Sequence, residues 1–195
     1  MLLKDGQLPI LLINGCGLLF FTVLFASHKN YEFLLYIGVI LLFLILILAT
    51  NRRVNYPNSV LWGLTVWAFL HMSGGSFRIG GAKLYEIILV PVSEEYHILR
   101  YDQFVHVVGF GVATLVMYVL LKPLLKSDIQ RWTALSIVVV MAGLGVGALN
   151  EIVEFIATVL VPETGVGGYT NTSLDLVSDL IGAVIAVVLI RIRRL

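Results

Sequence analysis

The chain is built from long apolar runs separated by short polar connections, at residues 8–26, 33–50, 60–72, 104–121, 132–149 (continuing toward Val161) and 174–190. In hydrocarbon every backbone N–H and C=O must be satisfied within the protein, so such runs cross a membrane as helices or not at all. A crossing takes about 20 mostly apolar residues. The third run is short unless residues 57–59 extend it, and Pro57 suits a first helical turn because its missing N–H costs nothing there. Composition agrees: 59% of residues are hydrophobic and 13% charged, against roughly 25% charged in soluble domains. The expected fold is all-α and polytopic, with about six transmembrane helices and no separate soluble domain. It divides into three N-terminal spans (1–72), an extracytoplasmic loop (73–100) and a three-span half (101–195). Membrane lipids are the expected partners, and nothing suggests nucleic acid. The first run is too long for a usual signal h-region, and His28-Lys29 makes a poor cleavage site, so it reads as a retained span. The single cysteine, Cys16, excludes an internal disulfide and a cysteine-rich metal site.

Lysine and arginine in short loops set orientation. With six crossings, Lys4, Arg52, Arg53, Lys122, Lys126, Arg131, Arg191, Arg193 and Arg194 share one side, and Lys29, Arg78, Lys83 and Arg100 share the other. The excess places both termini in the cytoplasm, with the protein in a bacterial-type inner membrane.

Six ionisable residues interrupt the last three spans in pairs: Asp102 and His106, Glu151 and Glu154, Asp175 and Asp179. Each pair is spaced i,i+3 or i,i+4 and so shares one helix face. Ionisable groups at membrane depth are costly and ordinarily face the bundle interior at a functional site. Span four enters from outside, span five ends outside and span six starts there, so all three pairs fall at the extracytoplasmic end. The inner halves of these spans are almost wholly apolar, which argues against a path through the membrane.

The outer segment 73–100 contains Gly74-Gly75, Arg78, Gly80-Gly81, Lys83 and Glu86, then a short apolar run at 87–92 that reads as interfacial or re-entrant. Ser93 followed by Glu94 and Glu95 has the pattern of a helix N-cap with acid in the first turn, so the fourth helix is expected to begin there. Thr172 with Asp175 resembles a capping box, a purely structural role for Asp175. Gly143, Gly145, Gly147, Gly182, Ala183 and Ala186 form small faces suited to close helix contact. His28, His71 and His97, near span ends, read as interfacial.

An oxygen-rich set with one histidine suits a hard or borderline divalent metal, which makes Asp102, His106, Glu151, Glu154, Asp175 and Asp179 candidate ligands. Without a metal, Asp102, His106 and Glu151 are candidate catalytic acid/base groups. Arg78 and Arg100 could hold an anion such as a phosphate headgroup, and Asn150 and Asn171 are further ligand-binding candidates. A non-catalytic polar network that sets helix register fits the same spacings.

Tyr101-Asp102-Gln103-Phe104-Val105-His106, Asn150-Glu151-Ile152-Val153-Glu154-Phe155 and Asp175-Leu176-Val177-Ser178-Asp179-Leu180-Ile181-Gly182 together resemble the VanZ-like group, in particular its branch of bacterial inner-membrane proteins typified by YjdF. The resemblance runs over residues 100–186. The group commonly shows Asp-Lys-x-x-His, matched at Asp102 and His106 with Gln103 in the lysine place. Its Glu-x-x-Gln is matched at Glu151 with Glu154 in the glutamine place. Its Asp-x-x-x-Asn-x-x-Gly is matched at Asp175 and Gly182 with Asp179 in the asparagine place. An arginine usual before that aspartate is missing, with Tyr169 and Thr170 in the region. The site is therefore more acidic than the group's pattern, which favours a cation. The resemblance implies an envelope-related role, the group being linked to glycopeptide-antibiotic resistance. The expected function is an extracytoplasmic acidic/His pocket for metal-assisted lipid or cell-envelope ligand binding or processing. The alternatives are a small transporter or channel, and a structural or assembly protein.

Overall fold

The computed structural model describes residues 3–93, 95–125 and 131–193. Among these, six α-helices carry the chain: α1 (Gln7–Ser27), α2 (Tyr31–Val54), α3 (Asn58–Ser76), α4 (Tyr101–Leu121), α5 (Trp132–Leu160) and α6 (Tyr169–Arg193). All except α3 are long and apolar enough to cross a membrane, and the chain is a multi-pass membrane protein. α3 is less apolar because Asn58, Ser59, Thr65, His71 and its terminal glycines and serines dilute it. It nevertheless runs the full height of the bundle. At one end Gln7 Nε2 donates to the Tyr56 carbonyl just before α3 (3.5 Å) and Asn58 Nδ2 donates to the Asp5 carbonyl (3.0 Å), both beside the start of α1. At the other end the Tyr101 hydroxyl at the start of α4 donates to the Leu70 carbonyl (3.1 Å).

Local chemistry sets the connections. Asn30 caps α2 by accepting the Phe33 N–H at 3.2 Å, which satisfies one of the orphan donors of the first turn. Asn55 ends α2 in the left-handed region at φ 62°, a conformation asparagine tolerates better than most residues. Pro57 stands one residue before α3, extended at ψ 141°, rather than inside its first turn.

The segment between α3 and α4 is the short part of the chain that does not span. It forms two short antiparallel hairpins, β1 (Arg78–Ile79) with β2 (Ala82–Lys83), and β3 (Ile88–Ser93) with β4 (Ile98–Arg100), joined through a 3-10 turn at Leu84–Glu86. Gly80 and Gly81, both at positive φ, make the two-residue turn of the first hairpin, the conformation that matches strand twist. Most of the run at 87–92 lies in β3. Ser93 Oγ does accept the N–H of a residue three positions on, Tyr96 at 3.3 Å, but the chain turns back as a strand instead of coiling. Glu94 lies outside the described residues, as do Lys126 and Arg194. The fourth helix starts at Tyr101, where Gln103 Oε1 accepts the N–H groups of Leu99 (2.5 Å) and Arg100 (3.2 Å). That bond holds Leu99 at φ 68°, a strained setting of order 1–3 kcal/mol for a non-glycine residue. Thr172 falls inside α6 rather than at its cap, so the capping-box role for Asp175 is lost.

Helices in lipid associate through close contact of their surfaces rather than through water exclusion. α4 and α6 meet at Gly111 and Gly182: a Cβ on Gly111 would stand 3.2 Å from the Gly182 carbonyl oxygen, and one on Gly182 would strike the backbone of Val107 and Gly111. Buried Ala183 and Ala186 continue this small face. A cluster of Phe21, Phe25, Phe33, Tyr36, Met72 and neighbours joins α1, α2 and α3, and Ala157 of α5 closes against it. A second cluster, Tyr118, Val139 and Ile190, fills the opposite end of α4–α6. α5 has 29 residues, about 43 Å at 1.5 Å per residue. It therefore overreaches a hydrocarbon core of about 30 Å and carries its acidic pair to where α4 and α6 begin.

Candidate functional site

The three pairs converge at one end of the bundle. Asp102 lies in the first turn of α4, and His106 one turn deeper is buried against α6. His106 Nδ1 is 2.8 Å from Asp179 Oδ1, and Asp179 is fully buried. With Asp179 ionised, its carboxylate only accepts, and Nδ1 would then carry the hydrogen and donate it. Nε2 is thereby left on the far side of the ring, 3.9 Å from Asp102 Oδ1. Two sets of potential ligand atoms meet around this imidazole, Asp102 with His106 and Asp175, and His106 with Glu151 and Glu154. Within each set the atoms lie within 4.8 Å of one another.

Neighbouring groups hold these carboxylates in place. Asn171 Nδ2 donates to Asp175 Oδ2 and, at 3.4 Å, to Asp102 Oδ2, which joins α6 to α4. Asn150 Nδ2 donates to Glu154 Oε1 at 2.8 Å. Asp179 sits where it does because Gly147 of α5 has no side chain: a Cβ there would overlap the Asp179 carboxylate. Gly145, by contrast, has nothing within 4 Å. Among the described residues no lysine or arginine forms an ion pair with any of the five acids, and the ion pairs at the site are those of His106. Asp175 Oδ1, Asp179 Oδ2 and Glu151 Oε1 are buried without a hydrogen-bond partner. A group of carboxylates this close cannot all keep their charge unneutralised.

Asp102, His106, Glu154 and Asn171 form one wall of a cleft of about 60 Å³. Sequence reasoning had not found the other wall. Glu32 and Tyr36 come from α2, His71 from α3, Lys83 and Tyr85 from the first hairpin and its 3-10 turn, and Gly165, Val166 and Gly167 from the loop before α6. Glu32 accepts the Gly165 N–H at 2.7 Å and the Tyr36 hydroxyl at 3.4 Å, fastening that loop to α2. The His71 ring lies among Phe33, Tyr36, Trp67 and Tyr85, its Nδ1 is 2.6 Å from the Tyr85 hydroxyl, and that hydroxyl donates to the His71 carbonyl at 3.0 Å. Burial, with the charges of Asp102 and Glu154 behind it, holds the Tyr85 phenol well above its usual range, so it stays a hydroxyl. The one signal in the sequence for this wall was Glu32, two residues after the capping Asn30 and outside the apolar run that follows.

The remaining candidates stand apart. Arg78 is exposed and donates to the Gly81 carbonyl at 3.0 Å, bracing its own turn. Arg100 is half-buried just before α4, outside the cleft lining, and its Nε has no partner among the described residues. Asp179 stands behind His106 rather than among the convergent groups.

Neither a search of curated proteins nor one of solved structures finds a match. A family model described as "Predicted membrane protein (DUF2238)" matches residues 8–195, so the chain belongs to the DUF2238 family of predicted membrane proteins.

Proposed function

We propose that this protein binds a divalent cation in a one-sided extracytoplasmic pocket and uses it to bind or process a lipid or cell-envelope ligand. The observation that carries this reading is His106. Asp179 would fix its tautomer and ring orientation, Nε2 stands toward Asp102, and carboxylates of α5 and α6 converge on the same imidazole. A carboxylate that orients a metal-bound imidazole is the usual outer partner of such ligands and raises their basicity. One imidazole with several carboxylates suits manganese, zinc or magnesium. Asp102, His106, Glu151, Glu154 and Asp175 would hold the ion. Bound there, it would supply Lewis acidity and a more acidic bound water. Asn171 and Asn150 keep the carboxylates from splaying apart. The resemblance of the three motifs to the VanZ-like group supports an envelope-related ligand.

The site end is extracytoplasmic on this reading, with both termini cytoplasmic in an inner membrane. Lys4, Arg52, Arg53, Lys122, Arg131, Arg191 and Arg193 all belong to the opposite end. Tyr118, Val139 and Ile190 fill the inner half of α4–α6 with apolar contact, which favours a one-sided site over a transport path.

Elemental analysis of the purified protein tests the proposal. The wild type carries one divalent cation per chain, and Glu151→Ala with Asp175→Ala lowers occupancy while a thermal unfolding trace reports that the variant is folded. A wild type with sub-stoichiometric metal after reconstitution with each candidate ion refutes it.

A further inference from the structure

We infer that the cleft accepts a phosphate group, held between the Lys83 ammonium on one wall and the cation at His106 on the other. This rests on the cation-binding reading above and extends it to the chemistry of the ligand. Among the described residues Lys83 is the one lysine or arginine that lines the cleft. Its backbone N–H is engaged, donating to Glu86 Oε2 at 3.1 Å, but its ammonium makes no hydrogen bond or ion pair among the described residues. It lies over Gly165: a Cβ there would be 2.6 Å from Nζ and 3.6 and 3.8 Å from the Glu32 carboxylate oxygens. The missing side chain at position 165 therefore leaves the ammonium uncovered at the mouth.

The acids on that wall are already occupied. Glu32 accepts from Gly165 and Tyr36, and Glu86 accepts from Lys83 N. Behind the opposite wall, Asp175, only 1% exposed and not itself in the lining, converges with the lining residues Asp102 and His106 and has one oxygen without a partner. One end of the cleft thus lacks positive charge, and at the other the Lys83 ammonium has no bonded anion, the nearby Glu32 and Glu86 carboxylates accepting from other groups. α6, 25 residues long, begins at Tyr169 beside lining residues Gly167 and Asn171, so its N-terminal dipole adds to the attraction for an anion. The cleft, about 60 Å³, is small and suits a compact group such as a phosphate at its inner end.

The rest of the ligand would stay outside. The rim residues Glu86, Gly165 and Gly167 are exposed. Beside them exposed apolar side chains continue on β3 (Leu89, Val90 and Val92) and at the outer end of α5 (Phe155, Val159 and Leu160). A phosphorylated lipid would present its phosphate to the cleft and its chains to these surfaces. A free phosphate would need only the cleft.

The test uses purified full-length protein with Mn²⁺ as the metal probe. Inorganic phosphate and pyrophosphate are the soluble probes, and nanodiscs with or without phosphatidic acid are the lipid probe. Electron paramagnetic resonance reads bound Mn²⁺, and paramagnetic broadening of the ³¹P signal reads phosphate held next to it. The expected result is equal Mn²⁺ affinity in wild type and Lys83→Met, with phosphate affinity at least tenfold weaker in Lys83→Met and restored in Lys83→Arg. Broadening of phosphatidic acid at concentrations where inorganic phosphate has no effect assigns the lipid source, and equal broadening assigns the free anion. Mn²⁺-loaded wild type that binds no phosphate probe, or binds it equally in Lys83→Met, overturns the inference while leaving the cation site standing. If wild type binds neither Mn²⁺ nor Zn²⁺ nor Mg²⁺, the cation reading fails by itself. Calorimetry of the soluble probes then decides the anion site: binding that depends on Lys83 supports it, and binding that does not overturns it.

Discussion

Adding one methyl group at Gly147 should damage the site from the far side, without touching any group that faces the cleft. A Cβ at this position overlaps the carboxylate of Asp179, which is fully buried and has its other oxygen bonded to His106 Nδ1 at 2.8 Å. Either α5 moves away from α6 or Asp179 turns from His106. The first response is overpacking and costs about 1–3 kcal/mol of stability. The second removes the outer partner of a ligating imidazole, worth about 10–100-fold in metal affinity, or about 1.4–2.7 kcal/mol. Gly145→Ala is the control. It lies on the same helix two residues away, with nothing within 4 Å of its Cβ position, and alanine favours a helix over glycine by up to about 1 kcal/mol. The assay pairs thermal unfolding in detergent with a Mn²⁺ titration. Gly147→Ala should lose stability, metal affinity or both, and Gly145→Ala should lose neither. Equal behaviour of the two variants would refute the contact between α5 and Asp179 and the role assigned to that carboxylate.

Three further perturbations follow from the same geometry. Asp179→Asn keeps an oxygen that can accept from His106 Nδ1 but removes the charge, so Mn²⁺ affinity should drop about tenfold or more with a smaller change in melting temperature than Gly147→Ala produces. Gly182→Ala drives a methyl into overlap with the Val107 carbonyl oxygen, whereas Gly111→Ala brings one only to 3.2 Å from the Gly182 carbonyl oxygen, so the thermal midpoint should fall further in Gly182→Ala. Glu32→Ala removes the acceptor of the Gly165 N–H, so hydrogen exchange measured by mass spectrometry should rise across residues 163–168 and stay unchanged in α4; an unchanged loop would show that Glu32 does not fasten it.

Much of the helical frame could be read from the chain because apolar runs in a membrane have only one backbone solution. The helices extend the expected runs by a few residues at most ends, and α5 does continue to Leu160. The three acidic and imidazole pairs were visible because charge within an apolar run stands out, and simple alternation of spans brings them to one level. What was hidden depends on contacts distant in sequence. The run at 87–92 suits a short interfacial segment and a strand equally well by periodicity, and pairing with residues 98–100 decided it. Asp175 and Asp179 share a face by spacing, yet one joins the convergent set and the other stands behind His106. That difference comes from the glycine at position 147 on another helix. Gly145 and Gly147 look alike as members of one small stripe, and only helix rotation separates them. The far wall of the cleft, with Glu32, His71, Lys83 and Tyr85, draws on α2, α3 and the first hairpin region, where no local spacing marks a site.

The central claim is that His106, oriented by Asp179, presents Nε2 to a bound cation. Electron spin echo envelope modulation of the Mn²⁺-loaded protein tests it directly. Wild type should show modulation from one coordinated imidazole nitrogen, shifting to the ¹⁵N pattern when histidine is labelled and disappearing in His106→Gln. Stoichiometrically bound Mn²⁺ with no nitrogen coupling in the wild type would contradict the account.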